Sequence, residues 1–193
     1  MVTCADSGSG RRDAESIISR LFRDSVTHHV KPVPEGYHTV TAVLIVHDGE
    51  RALDFYQKAL GATERMRSKG PDGKISHAEL QIGDSLVMLS DESPGMGSKS
   101  PKTLGGVSTS LWLYVPDVNA TYERAVKAGA QSVMAPADMF WGDRHARIRD
   151  PFGHEWSIAS HVEDVPPGDL ERRAREFYAR VGPAGGRPAD RST

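Results

Sequence analysis

Cysteine is nearly absent: Cys4 is the only one among 193 residues. A single thiol cannot close an internal disulfide, so nothing calls for an oxidising compartment. Long apolar runs are also missing, and none approaches the ~18 residues of a membrane span. The N-terminal stretch MVTCADSGSGRRDAES lacks the apolar centre of a secretory signal. A cytosolic (cytoplasmic) location, with no membrane partner, is therefore expected. Charge of one sign is lacking too. The net charge is −2 and the pI about 6.4, so there is no clustered basic face to hold nucleic acid. No Ser-His-Asp spacing, cysteine nucleophile or phosphate-cradling glycine motif appears, and Gly95-Met96-Gly97 reads only as a flexible loop. What the chain does have is 38% hydrophobic and 26% charged residues, an ordinary globular balance that supports a packed core.

The two ends differ from the middle. Residues 1–36 form an N-terminal extension, with one amphipathic helix predicted over Asp13–Arg23 (Ile17, Ile18, Leu21 and Phe22 on one stripe) and a proline-stiffened linker from Lys31 to Gly36. His28-His29 lies in this segment and is read as exposed. Residues 164–193 form a second extension: Pro166-Pro167-Gly168 breaks the chain, a helix is predicted from Asp169 to about Arg180, and a disordered tail follows Gly182-Pro183.

Between them, residues 37–163 read as one unit repeated. Thr39–His47 is β-branched and apolar, a strand signal. Asp48 can cap a helix whose stripe is Ala52, Leu53, Phe55, Tyr56, Ala59 and Leu60, and Gly61 sits where a helix-ending glycine belongs. Three strands follow: Ala62–Ser68, Lys74–Ile82 after the Gly70-Pro71-Asp72-Gly73 turn, and Ser85–Ser90 after Gly83-Asp84. The order then recurs. Ser108–Val115 is a strand, Asp117 caps a helix and Gly129 closes it. Gln131–Met134 begins a strand, Asp143–Asp150 is another and His154–Ser160 is the last. The pairs Asp48/Asp117, Gly61/Gly129 and Gly83/Gly153 all recur at about 69 residues, which marks an internal duplication. The fold expected is α+β: two tandem βαβββ modules, about 37–91 and 107–163, joined by a mobile linker over 91–106.

Several stretches carry a family likeness: Val46-His47-Asp48 with Ala52–Ala62, Val115-Pro116-Asp117 with Ala125–Ala130, and Asp150-Pro151-Phe152-Gly153-His154-Glu155-Trp156. On these the chain resembles the vicinal-oxygen-chelate superfamily (glyoxalase, bleomycin-resistance and extradiol-dioxygenase proteins). Phe140–Arg144 and Asp72–Glu79 resemble its PhnB-like branch. The resemblance implies eight strands curving into an open, barrel-like cleft, commonly with a divalent metal held by the opening and closing strands. It places those ligand positions at Thr41, Leu89, Ser110 and Ser157. Divalent metals in such sites want imidazole or carboxylate donors, which these residues do not supply, so no metal cofactor is expected there. Homodimers are common in the superfamily, and the duplication leaves open whether one chain completes its own cleft.

Strand alternation sorts the remaining candidates. Ala78, Leu80 and Ile82 should face a helix, leaving His77, Glu79 and Gln81 on the cleft side. Likewise Ala146 and Ile148 turn His145, Arg147 and Arg149 inward, and Trp156 and Ile158 leave Glu155 and Ser157 inward. His77 and Glu79 are the acid–base candidates. Trp112 and Tyr114, with Trp141 in the Met139–Gly142 loop, compose an aromatic wall for a small molecule, beside Arg144 and Arg147. Each has a plainer reading: tryptophans fill barrels, and arginines pair with Glu79 or Glu155. Three functions stay open at this point. One is a glyoxalase- or bleomycin-resistance-like module binding a small molecule without metal. The second is a small-metabolite enzyme (lyase, isomerase or transferase-like) using His77 and Glu79. The third is an interaction protein with a vestigial cleft.

Overall fold

An aspartate starts the helix inside each of the two modules, and strand pairing places the rest of the module around it. The computed structural model describes residues 30–181. The helix predicted over Asp13–Arg23, Cys4, His28-His29 and the tail beyond Val181 lie outside the described residues. The first module runs β1 (Ala42–Val46), α1 (Gly49–Leu60), β2 (Thr63–Lys69), β3 (Ile75–Ile82) and β4 (Ser85–Asp91). The connection to the second module carries a 3-10 turn (Pro94–Met96) and a short helix, α2 (Pro101–Leu104). The second module runs β5 (Ser110–Tyr114), α3 (Val118–Lys127), β6 (Gln131–Asp138), β7 (Asp143–Arg149) and β8 (Glu155–His161). A final helix, α4, spans Pro167–Val181. The Asp48 carboxylate accepts from the Arg51 N–H at 3.2 Å and Asp117 from the Ala120 N–H at 3.0 Å, satisfying donors that the first helical turn leaves free.

Both modules fold alike. The sheets have the orders β1-β4-β3-β2 and β5-β8-β7-β6, with the first pair of each parallel and the rest antiparallel. This is the tandem βαβββ, α+β arrangement expected from the duplication. Among the described residues no strand pairing joins the two sheets, so the barrel is open. One face of each sheet is apolar and covered by helix. Leu44, Val46, Ala78, Leu80, Val87 and Leu89 pack with Leu53, Tyr56 and Ala59 of α1, while Ala146, Ile148, Trp156 and Ile158 pack with Val118 and Ala125 of α3. Each fully buried leucine or isoleucine contributes roughly 1.5–3 kcal/mol.

The modules are bolted together at Asp150, a buried carboxylate. One oxygen accepts from the backbone N–H groups of Phe152 and His154, both at 2.9 Å, which shapes the Asp150–Trp156 turn. The other accepts from Trp156 Nε1–H at 3.0 Å and from the Tyr56 hydroxyl of α1 at 2.7 Å. Burial first, and then Asp150, pushes the Tyr56 phenol well above its ordinary value, so it stays a donor. His154 reaches the Ile45 carbonyl of β1 at 3.1 Å, a second polar link across the joint. Gly153 has φ +96°, and a Cβ there would sit 2.8 Å from Pro101 Cβ, so only glycine fits against α2.

The connection expected as a mobile linker over 91–106 is instead tied down. The Glu92 carboxylate accepts from the Ser100 N–H at 2.8 Å and the Thr103 hydroxyl at 2.7 Å, and Ser100 is fully buried. The hydrogen bonds from Thr103 and Ser100 hold the Glu92 carboxyl at about 2.

Two predictions arise from these contacts. Tyr56→Phe, which leaves Asp150 three donors, is expected to cost about 1–2 kcal/mol in urea unfolding. Asp150→Ala, which strands four donors, is expected to cost about 4 kcal/mol or more. Equal losses from the two would show that the joint does not depend on the carboxylate. Glu92 binds fewer protons folded than unfolded between its folded value of about 2 and the free value of 4.5. Its contribution is therefore fully present above the free value and lost as pH falls through that window. Protection factors at the Ser100 and Thr103 amides, taken relative to intrinsic exchange at each pH, should fall between pH 5 and pH 3 in the native chain, and Glu92→Gln should abolish that fall.

Candidate functional site

Residues paired across a sheet share a face, so register decides what meets on the concave side. In the second module three rows cross that face. Gln131, Arg149, Glu155 and Ser110 form one; Met134, Arg147, Ser157 and Trp112 the next; Ala137, His145, Ala159 and Tyr114 the third. The central strand contributes only small side chains, Ser157 and Ala159, to the last two rows. The Trp112 indole can therefore lean across β8 and stack on the His145 ring of β7, with centroids 4.7 Å apart and planes within 6°. Trp141, from the β6–β7 turn, lies 6.5 Å from Trp112 and 5.9 Å from His145, and Tyr114 lies 6.2 Å from Trp112.

Asp143 fixes this aromatic group. It is buried, and one carboxylate oxygen accepts from Tyr114 O–H and Trp141 Nε1–H, both at 3.0 Å. The other oxygen meets His161 Nδ1 at 2.9 Å, and His161 Nε2 meets Asp164 at 2.9 Å. Burial acts to raise the Asp143 carboxyl, but the hydrogen bonds from His161, Tyr114 and Trp141 outweigh it and hold it low. Asp164 and then Asp143 raise His161 above the ordinary imidazole value, so it donates from both nitrogens as an imidazolium.

His145 is the opposite case. It is 5% exposed, and neither ring nitrogen has a hydrogen-bond partner among the described residues. Its row neighbours are Ala137 and Ala159, which offer none. Burial, and then the Arg147 charge, lower its pKa, so the ring is neutral. An unpaired buried nitrogen costs about 1–3 kcal/mol, which makes this position an exception in need of a partner.

The turn carrying Trp141 is braced from behind. Gly142 has φ +96°, a Cβ there would meet the Glu163 carbonyl at 2.1 Å, and its own carbonyl accepts from Val162 and Glu163 at 2.9 and 3.0 Å. Phe140 packs on Phe177 and Tyr178 of α4 at 5.4 and 5.8 Å, and Arg173 of α4 pairs with Glu163. A cleft of about 790 Å³ runs along the edge of β5, lined by Leu111, Leu113 and Trp156 of the helix-covered side as well as by Trp112 and Tyr114, and closed by Val40, Ala42, Leu86 and Val87 of the first module; Trp141 and His145 do not line it. That volume suits a small organic ligand.

On the first sheet the matching face carries Met66, Glu79, Met88 and Val43 in one row. The Tyr37 hydroxyl donates to Glu79, and His77 Nε2 lies 3.3 Å from the same oxygen. The hydrogen bonds from Tyr37 and His77 keep the Glu79 carboxyl low against its burial. The structure thus brings His77 and Glu79 together, adds Tyr37, and sets them on a different sheet from Trp112, Tyr114 and Trp141, which also meet.

The family profile for the Glyoxalase/Bleomycin resistance protein/Dioxygenase superfamily matches residues 36–158. The chain belongs to this superfamily. An uncharacterized protein of Mycobacterium tuberculosis H37Rv is 46% identical over 131 residues, spanning 66% of this chain and 77% of that protein. The crystal structure of a Pseudomonas aeruginosa protein is 27% identical, with a TM-score of 0.51 over 64% of this chain and 98% of that one. The X-ray structure of an Arabidopsis thaliana gene product is 26% identical, with a TM-score of 0.52 over 64% and 98%.

Within this superfamily fold, the residues expected at the metal-ligand positions have other occupations. Thr41 precedes β1 and donates to the His38 carbonyl at 3.5 Å, Ser110 donates to the Glu155 carbonyl at 3.3 Å, and Ser157 lies in the row beneath Trp112. Leu89 corrects the expectation that it lines the cleft. It pairs with Leu44 and Ala78 and is 0% exposed in the helix-covered core, because the tight Gly83-Asp84 turn sets Ile82 opposite Ser85 and so places Met88 and Ser90 on the open face. Three hydroxyls and a core leucine do not fit a divalent metal. Among the described residues no group of three or more His, Cys, Asp or Glu side chains is placed to hold one. Arg144 is a second correction: it turns to the helix side and pairs with Asp138 at 2.8 Å and Asn119 of α3 at 3.1 Å. Arg147 and Arg149 stay on the open face, each 2.7 Å from Glu155, which their hydrogen bonds keep ionised.

His161 gives a direct check. Because it binds its proton more tightly folded than free, its stabilising effect is complete below the free value of 6.5 and fades as pH rises through its higher folded value. Asp143→Asn is expected to lower the His161 pKa in an NMR titration and to shift the Trp141 indole N–H resonance. An unchanged His161 titration would mean that Asp164 alone sustains it.

Proposed function

We propose that this chain binds a planar small molecule on the aromatic wall of its second module, without a divalent metal at the superfamily positions. One observation carries the reading. Trp112 and Tyr114 are 48% and 61% exposed, yet both are held in place, Tyr114 by Asp143 and Trp112 by its stack on His145. Large aromatic surface kept fixed and open beside a cleft is the composition of a ligand site rather than of a core. The Tyr37–Glu79–His77 array favours a second reading, an acid–base enzyme acting on a small metabolite at the first sheet. The chain fits the PhnB-like branch through its Phe140–Arg144 stretch and a cytoplasmic setting through its single cysteine. A homodimer, which the superfamily resemblance implies, belongs to the same proposal. The vestigial-cleft interaction protein has less behind it, because the open face is so fully organised.

Naphthalene serves as the probe, with binding read from tryptophan fluorescence and calorimetry. Native protein should bind it, and Trp112→Ala should weaken binding about 10-fold, the worth of one aromatic stack. Elemental analysis of protein purified without chelator should find metal far below one equivalent. No naphthalene binding, or binding that ignores Trp112, would sink the reading, and stoichiometric metal would return the metal-dependent chemistries.

A further inference from the structure

We propose that a second ligand groove lies along the α2 connection between the modules and takes a soluble amphipathic anion, a short alkyl chain ending in a phosphate. This groove is separate from the aromatic wall, and the proposal does not depend on that reading.

Two clefts meet there. One, of about 530 Å³, lies between the edge strand β1, the chain entering β5 and α2. Leu44, Pro101 and Leu111 line it together with Val43, Leu104 and Val107, and the last three are exposed. Large apolar side chains left open around one hollow call for an apolar occupant. The other cleft, of about 450 Å³, is lined by Lys102, Arg149 and the Asp150–Gly153 turn. Both clefts are lined by Pro101, Gly106, Val107 and Glu155, so they form two arms of one groove. The first arm suits a hydrocarbon tail and the second a charged head.

Electrostatics fixes the sign of that head. Lys99, Lys102 and Arg149 line the groove, and Arg147 shares Glu155 with Arg149. Against these four positive charges stand two carboxylates, Asp150 and Glu155, both already engaged. Asp150 accepts from four donors, and Glu155 accepts from both arginines. Four charges against two leave an excess of two, close to the charge of a phosphate monoester at neutral pH. Each arginine gives Glu155 one terminal nitrogen only, which leaves Arg149 further donors for phosphate oxygens. A cationic head would meet like charge with no free carboxylate to answer it.

Gly106 provides a way to fill the groove. Its φ lies outside the left-handed region and an added Cβ meets nothing within 4 Å, so Gly106→Leu should fold as the native chain does. Calorimetry on full-length protein compares octyl phosphate, octanoate, octanol and butyl phosphate. Native protein should prefer octyl phosphate to octanol about 10-fold, as expected for hydrogen bonds to a charged group. Octanoate should fall between them. Butyl phosphate should bind far more weakly, since each buried methylene contributes about fourfold. Lys102→Met should weaken octyl phosphate about 5-fold and leave octanol unchanged, while Gly106→Leu should remove binding of both with an unchanged circular dichroism spectrum. Equal affinities for octyl phosphate and octanol overturn the charged arm, and octanoate binding as tightly as octyl phosphate overturns the phosphate. Binding that ignores both variants, or that is lost in Trp112→Ala, overturns the groove. Absence of octyl phosphate binding also overturns it, and if the chain is then a dimer that Leu104→Glu dissociates, the groove belongs to a second copy.

Discussion

Four hydrogen bonds to the buried Asp150 carboxylate hold the architecture together. A carboxylate out of water is tolerated only when its lone pairs are met, and here two backbone donors, an indole and a phenol meet them. The two backbone bonds make the turn that delivers β8. The indole sets Trp156 into the core of the second module. The phenol belongs to α1, so the same carboxylate fixes the first module against the second. One residue thereby couples local chain reversal, packing and the joint between the repeats.

The open face of the second sheet follows from what lies behind it. With Trp156 and Ile158 committed to the core, Ser157 and Ala159 are left on the other side of β8. Being small, they form a floor across which Trp112 reaches His145. Asp143, at the start of β7, then collects Tyr114, Trp141 and His161 around one carboxylate, and α4 presses Phe140 from behind. The site is preorganised by hydrogen bonds made within the chain, and one polar group, His145, is left over.

Much of this was legible in the sequence. Period-two alternation set Ala78, Leu80, Ala146 and Ile148 toward the helices and His77, Glu79, His145 and Arg147 away from them, as the pairing shows. The recurring Asp-cap and Gly-stop landmarks outlined both modules. Trp112, Tyr114 and Trp141 were readable as a group. Leu89 was misplaced because its side was inferred from a motif offset, whereas the Gly83-Asp84 turn sets the parity of β4. Arg144 was grouped with its neighbours by charge, although alternation alone puts it on the helix side. His161 reads from sequence as an outward or strand-end residue and Asp143 only as the start of a strand, since the contacts that join them to each other and to Tyr114 span 18 to 29 residues.

What the sequence determined by itself is local. Helix caps, strand faces and the repeat depend on residues within a few positions of one another, where propensity and periodicity act. Only tertiary structure decided that Trp112 stacks on His145, that Asp150 bonds Tyr56 across 94 residues, and that the acid–base candidates and the aromatic wall lie on different sheets. Those outcomes hang on strand register and on how two modules dock. A one-residue shift in register moves a side chain to the opposite face, and docking is set by packed surfaces that neighbouring residues do not encode.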